Sequence, residues 1–231
     1  MASYQLKIIL LGIQPEIWRR FVVPSDTTLA NLHGVIQAVM GWTDSHMHHF
    51  FDKKNYYMPS AFCDDNELPE ETHTLEMIAP KKGAKFRYLY DFGDSWEHEI
   101  VVENVKFSSP DWPYPICCIE GERACPPDDC GGIYGYYDFC EAMAYSNHPE
   151  HEELKESFGG IYVPDFWDME ETNTAFKIKR KTRRPTHLWI KVDNGPWPPT
   201  PKEQPAPQKP VKKSTKKAAK KTAKKAAKKK P

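Results

Sequence analysis

Apolar and polar positions alternate most cleanly on either side of Gly93-Asp94-Ser95. Period-two alternation is the signature of a strand with one buried face. A loop of those three residues is an allowed hairpin connection, with Gly or Asp in the left-handed position. That loop sets Phe92 opposite Trp96, Tyr90 opposite His98, Tyr88 opposite Ile100 and Phe86 opposite Val102, all on one face. The other face pairs Asp91 with Glu97, Leu89 with Glu99, Arg87 with Val101 and Lys85 with Glu103. A loop of Gly93-Asp94 alone would mix the two faces, so the longer loop is expected.

The rest of the pattern predicts an α+β fold: an antiparallel sheet with this hairpin at its centre, packed against several helices and followed by a disordered tail. Residues 4–11 and 17–23 read as paired strands, the second ended by Pro24, which cannot donate to a ladder. Ser25, Asp26, Thr27 and Thr28 offer capping oxygens. Leu29, Leu32, Val35, Ile36, Val39 and Met40 then share one helical face, and Gly41 is the terminator. His33 lies at the edge of that face, as a core histidine with polar contacts. Residues 46–52 read as a strand, with 56–58 pairing back. Residues 134–145, 150–158 and the stretch after Asp165-Phe166-Trp167-Asp168 read as helices, and 177–184 as a basic run at the last helix end. Residues 116–132 hold too many Gly, Pro and acidic residues for a core element, so they read as an ordered loop or docking segment.

Candidate chemistry clusters around the hairpin. Asp91 opposite Glu97 would be a like-charge pair, relieved by a cation or by solvent. A cation site and a solvated acidic rim both fit. If the 116–132 loop folds over the hairpin, Glu122, Asp128 or Asp129 joins Asp91 and Glu97 in an acidic pocket for a hard divalent ion. His46 and His48, two apart on one strand face, can also share a metal. Cys125 and Cys130 are spaced more widely than the usual zinc knuckle, and no second pair follows, which argues against a closed zinc site. No P-loop, nucleophile elbow, zincin helix or dinucleotide glycine motif is present.

The run Tyr90-Asp91-Phe92-Gly93-Asp94-Ser95-Trp96-Glu97-His98 resembles the central motif of the plasmid pRiA4b ORF-3-like proteins. Further matches follow in the same order. They are Pro15-Glu16-Ile17-Trp18-Arg19-Arg20, Leu32-His33-Gly34-Val35-Ile36-Gln37 and Gly41-Trp42-Thr43-Asp44-Ser45-His46-Met47-His48-His49-Phe50. Gly121-Glu122-Arg123-Ala124-Cys125-Pro126-Pro127-Asp128-Asp129-Cys130-Gly131-Gly132 and His148-Pro149-Glu150-His151-Glu152-Glu153 complete the set. The resemblance spans roughly residues 4–181. It implies a compact mixed α/β domain found in microbes and on mobile DNA, and no particular reaction. Some members carry resolvase-like labels, but no recombinase serine motif is present here.

Composition adds a second object. The chain has 32 basic and 32 acidic residues in 231. Residues 202–231 hold 13 Lys and one Glu, a net charge of +12, so the remainder carries −12. Three segments follow: a family domain over 1–184, an extra segment and proline-rich linker over 185–210, and a disordered Lys/Ala tail over 211–231. An apolar piece at 186–192 reads as an extra strand or docking segment. The tail resembles the lysine-alanine tails of linker-histone-type and nucleoid proteins, in composition only. Lys212, Lys213, Lys216, Lys217, Lys220, Lys221, Lys224, Lys225, Lys228, Lys229 and Lys230 are its candidate phosphate contacts. Lysine binds phosphate as a point charge without base selectivity. Neither a signal-peptide pattern nor a membrane-length apolar run appears, so the expected location is cytoplasmic or nucleoid-associated, with reduced thiols and no membrane partner.

Three functions are therefore expected. The first is a DNA-associated binding protein, with a non-specific lysine tail and an acidic domain for a partner or a metal. The second is a divalent-metal hydrolase of nuclease type using the acidic and histidine residues. The third is a protein-interaction adaptor. The one cofactor these residues allow for is a divalent metal.

Overall fold

A computed structural model describes residues 2–108 and 114–177. The basic run beyond Lys177, the apolar piece at 186–192, the linker and the lysine tail lie outside the described residues. Eight strands form one sheet: β1 (Ser3–Leu10), β2 (Ile17–Pro24), β3 (His48–Phe51), β4 (Tyr56–Met58), β5 (Glu67–Pro69), β6 (Lys85–Tyr90), β7 (Trp96–Phe107) and β8 (Cys117–Glu122). The helices are α1 (Leu29–Met40), α2 (Leu75–Ile78), α3 (Gly132–Ala144), α4 (His151–Phe158) and α5 (Met169–Lys177). The sheet order is β5-β4-β3-β6-β7-β1-β2-β8, antiparallel except for β4 with β5. The fold is α+β.

Alternation explains which face is inside. On β1, Tyr4, Leu6, Ile8 and Leu10 are buried while Gln5, Lys7 and Ile9 are half-buried on the other side. Phe86, Tyr88, Tyr90, Trp96, His98, Ile100 and Val102 extend the same inner face. It packs against the apolar face of α1, where Leu29, Leu32, Val35, Ile36, Val39 and Met40 are all buried. Thr28 caps α1 by accepting from the Asn31 amide, and Gly41 ends it in the left-handed region at φ 95°. That conformation is open to glycine without a Cβ penalty.

The hairpin corrects the expected register by two residues. The pairs are Tyr90 with Trp96, Tyr88 with His98, Phe86 with Ile100 and Leu89 with Glu97. The loop is five residues, 91–95, rather than three. Asp91 causes this. It sits at φ 58°, its Oδ1 accepts from the amides of Gly93 (2.8 Å) and Asp94 (3.3 Å), and its carbonyl accepts from the Ser95 amide (2.7 Å). An Asp side chain closing its own turn removes Asp91 from the ladder. A two-residue slip keeps the strand side chains on their faces, so the buried face from Phe86 to Tyr90 and from Trp96 to Val102 stands, while Phe92, expected opposite Trp96, is exposed in the loop and the Asp91–Glu97 pair does not form.

Two other expectations change. Residues 117–122 form an edge strand, β8, rather than a loop. The side chain of Asn173 on α5 closes its outer edge, accepting from the Cys118 amide (2.8 Å) and donating to its carbonyl (2.7 Å). A covered edge cannot template pairing with another chain. The strand expected from residue 46 begins at His48, so strand alternation does not relate His46 to His48.

A histidine–carboxylate cluster at the hairpin rim

Three loops meet at the turn end of the hairpin. The α1–β3 loop carries His46, the β6–β7 turn carries Asp91, and the β8–α3 loop carries Asp129. Their ligand atoms all lie within 4.8 Å of one another. His46 Nε2 is 3.2 Å from Asp129 Oδ1 and 3.7 Å from Asp91 Oδ2. Yet Nε2 is enclosed and makes no hydrogen bond of acceptable geometry. The distances mark ion-pair proximity, and the angles leave the nitrogen without a proton partner. Buried polar atoms are seldom left so.

The supports of the cluster are explicit. The fully buried Arg19 guanidinium donates to the carbonyls of Val39 (2.9 Å), Trp18 (2.8 Å), Glu122 (2.8 Å) and Arg123 (2.7 Å). It thereby ties α1 and the start of the β8–α3 loop to β2. Its pKa is lowered by burial. Trp42 Nε1 donates to the Pro126 carbonyl (3.0 Å), and Tyr162 Oη to that of Cys125 (2.9 Å). The Gly131 amide donates to Asp94 Oδ2 (3.1 Å). At Gly132, φ is +68° and an added Cβ would meet the Asp94 carbonyl oxygen at 2.7 Å. The loop lies against the hairpin turn because that residue has no side chain. On the other flank, the Asp91 amide donates to the Met47 carbonyl (2.9 Å) and the Ser45 amide to Tyr90 Oη (3.2 Å).

The remaining candidate ligands go elsewhere. Asp128 accepts from Thr43 Oγ1 (2.7 Å) and Tyr90 Oη (3.3 Å), so it anchors the loop. Burial and that carboxylate push the Tyr90 phenol well up. Glu97 is exposed on the outer face and pairs with Arg87 (3.0 Å). Glu122 accepts from Trp18 Nε1 (3.1 Å). His48 is buried, bonds Glu70 (2.9 Å) and stacks on His33 at 3.5 Å between ring centroids. His33 in turn meets Asp44 (2.7 Å) and Tyr88 Oη (2.8 Å). Glu70 was not singled out in the sequence, since nothing separates it from the other acids of its loop. All six cysteines are free, and burial pushes the Cys118 thiol up to about 12.

An eight-stranded α+β sheet, with a histidine and two carboxylates held at one rim by three convergent loops, defines the class of this domain. Residues 2–174 match the plasmid pRiA4b ORF-3-like protein family. The chain belongs to that family. It is 37% identical over 190 residues to "Uncharacterized protein y4hQ" of Sinorhizobium fredii (strain NBRC 101917 / NGR234), covering 79% of this chain and 97% of the relative. It is similar also to the crystal structure of "Protein of Unknown Function MM3350 from Methanosarcina mazei Go1", with 31% identity and a TM-score of 0.65. That match covers 73% of this chain and 96% of the other. Among the described residues no helix is long and apolar enough to cross a membrane.

Proposed function

We propose that the protein is a nucleic-acid-associated binding protein whose folded domain holds one divalent cation on His46, Asp91 and Asp129. The observation that carries the cation site is the enclosed His46 Nε2, which faces two carboxylates and bonds to neither. Zinc–nitrogen and zinc–oxygen bonds of roughly 2.0–2.2 Å place tetrahedral ligand atoms about 3.4 Å apart. The separations of 3.2 and 3.7 Å bracket that spacing. One imidazole with two carboxylates suits zinc or manganese better than a thiolate-loving ion. Metal content of the purified full-length chain, with melting curves in EDTA and in added zinc or manganese, tests the site. Bound metal and a rise in Tm with the ion are expected. No bound metal and no shift would remove the cation reading.

The association with nucleic acid is supported by charge segregation along the sequence. The 13 lysines of residues 202–231 stand against a single acid, in a chain whose preceding part is acidic. Each phosphate neutralised would add about −0.9 to the log–log salt slope. Binding of full-length protein and of a chain ending at Pro210 is compared on duplex DNA across salt concentrations. Equal binding and equal slopes would remove the tail from the account.

A hydrolytic reading is second. It is favoured by the ligand count, because three protein ligands leave positions for water and substrate, and Asp129 opens the site to solvent. It predicts turnover of a phosphodiester by the metal-loaded protein, which a cation site serving only to brace the loops would not give.

A further inference from the structure

We propose that the cavity between α5 and the start of β8 binds an organic cation, a protonated amine carried on an apolar body. The cavity measures about 760 Å³. Small-molecule sites run from roughly 300 to 1,000 Å³. It shares no residue with the His46, Asp91 and Asp129 cluster. Its walls follow from the chain. One is the stretch that leads into β8, with Ile116 and Cys117. The other is the side of α5 where Met169, Asn173 and Phe176 recur at steps of four and three. Asn173 fastens the two walls at one point, through both backbone groups of Cys118 (2.8 and 2.7 Å). Beside that clamp the walls stand apart, and Ile116, Met169 and Phe176 line the space with half-buried apolar surface.

The lining carries charge of one sign. Asp168, Glu170 and Glu171 face the cavity, and no Lys, Arg or His stands among its described lining residues. Asp168 spends Oδ1 on the Glu171 amide (2.8 Å), as a helix-capping residue does. The carboxylates of Glu170 and Glu171 take no hydrogen bond and no ion pair from a described residue. Glu171 is half-buried, and desolvation, followed by the nearby Asp168 charge, raises its pKa. A half-buried carboxylate with no partner destabilises the site that holds it, and a ligand's ammonium would relieve that.

The two features select the ligand together. Three carboxylates repel an anion and leave a neutral molecule without use for their charge. The apolar wall offers nothing to a small hydrated inorganic ion. A protonated amine on an alkyl or aryl body uses both. Its ammonium donates to Glu171, with Asp168 and Glu170 adding to the field, while its body covers Ile116, Met169 and Phe176.

The test is calorimetric titration of the full-length protein at about 150 mM salt with octylamine, hexylamine, 1-octanol and octanoate as probes. Octylamine should bind about tenfold more tightly than octanol, the worth of a hydrogen bond to a charged group. Hexylamine, shorter by two methylenes, should bind roughly fifteenfold more weakly than octylamine. Octanoate should not bind. Glu171→Gln should bring octylamine down to the affinity of octanol and leave octanol unchanged. Thr174→Trp, at an exposed position on the cavity wall, should fill the space and abolish binding of both, with an unchanged Tm showing that it folds. Glu156→Gln removes an exposed acid elsewhere and should change nothing. Absence of octylamine binding, equal binding of octylamine and octanol, or equal binding of hexylamine and octylamine would overturn the proposal. So would full binding by a folded Thr174→Trp variant, or a loss in Glu156→Gln as large as in Glu171→Gln. Neither metal nor nucleic acid enters any arm, so failure here is separate from failure of the cation and nucleic-acid readings.

Discussion

Asp91 performs two tasks with two oxygens, and substitutions can separate them. Oδ1 closes the hairpin turn on the amides of Gly93 and Asp94, while Oδ2 faces His46. Asp91→Asn keeps a carbonyl for the turn and, like Asp, tolerates the left-handed conformation at φ 58°. It places an amide where the cation needs an oxygen anion. Its stability without metal should lie within about 1 kcal/mol of the parent, because the amide oxygen keeps both turn hydrogen bonds, each worth about 0.5–1.5 kcal/mol. Asp91→Ala loses two turn hydrogen bonds, each worth about 0.5–1.5 kcal/mol. It also incurs about 1–2 kcal/mol for a Cβ residue in the left-handed region without local polar support. The sum is about 2–5 kcal/mol, which lowers Tm by roughly 4–20 °C at about 2–4 °C per kcal/mol. Zinc at about 100 times its Kd would stabilise the parent by about 2.7 kcal/mol, a rise of roughly 5–11 °C. The assay is a set of melting curves of the three full-length proteins with EDTA and with zinc. Expected is a full zinc shift for the parent, none for Asp91→Asn, and a lowered baseline for Asp91→Ala alone. An undiminished zinc shift in Asp91→Asn would refute ligation by Oδ2. A baseline drop in Asp91→Asn as large as that of Asp91→Ala would refute the turn-closing role of Oδ1.

Other substitutions probe the supports. Arg19→Met leaves four carbonyls without their shared buried donor, and should lower the urea unfolding midpoint, each carbonyl left dry and unpaired costing about 1–3 kcal/mol. An unchanged midpoint would show that water reaches those carbonyls. Gly132→Ala drives a Cβ onto the Asp94 carbonyl at a positive φ. It should weaken zinc binding by parting the Asp129 loop from the turn, read as a smaller zinc shift in Tm. His98 is wholly buried, and desolvation lowers its pKa from 6.5 to about 3. Between those values the unfolded chain binds a proton that the fold refuses. Stability from this group is therefore complete above about pH 6.5 and falls by about 1.4 kcal/mol per unit as pH drops toward 3. His98→Phe should flatten that slope in unfolding free energy measured from pH 7 to 4. An unaltered slope would place the acid sensitivity elsewhere.

Much of this protein could be read from periodicity, because the information is local. α1 follows from six apolar positions, a threonine cap and a glycine stop, all within fourteen residues. The aromatic face of the hairpin follows from parity, which a slip of two residues does not disturb. His46, Asp91 and Asp129 were each visible as candidate ligands by residue type, among other candidates that go elsewhere.

Tertiary structure decided the rest. Which acids meet depends on where Asp91 spends its side chain, and its bonds to two amides moved the register and sent Glu97 to Arg87. β8 is a strand despite its composition because it pairs along β2, nearly a hundred residues earlier, while Asn173, more than fifty residues later, bonds its other edge at Cys118. Asp129 reaches His46 because Gly132 lets one loop lie on another. Pairings of this kind join residues distant in sequence through a single close approach or side-chain bond. No repeating pattern along the chain records such a contact.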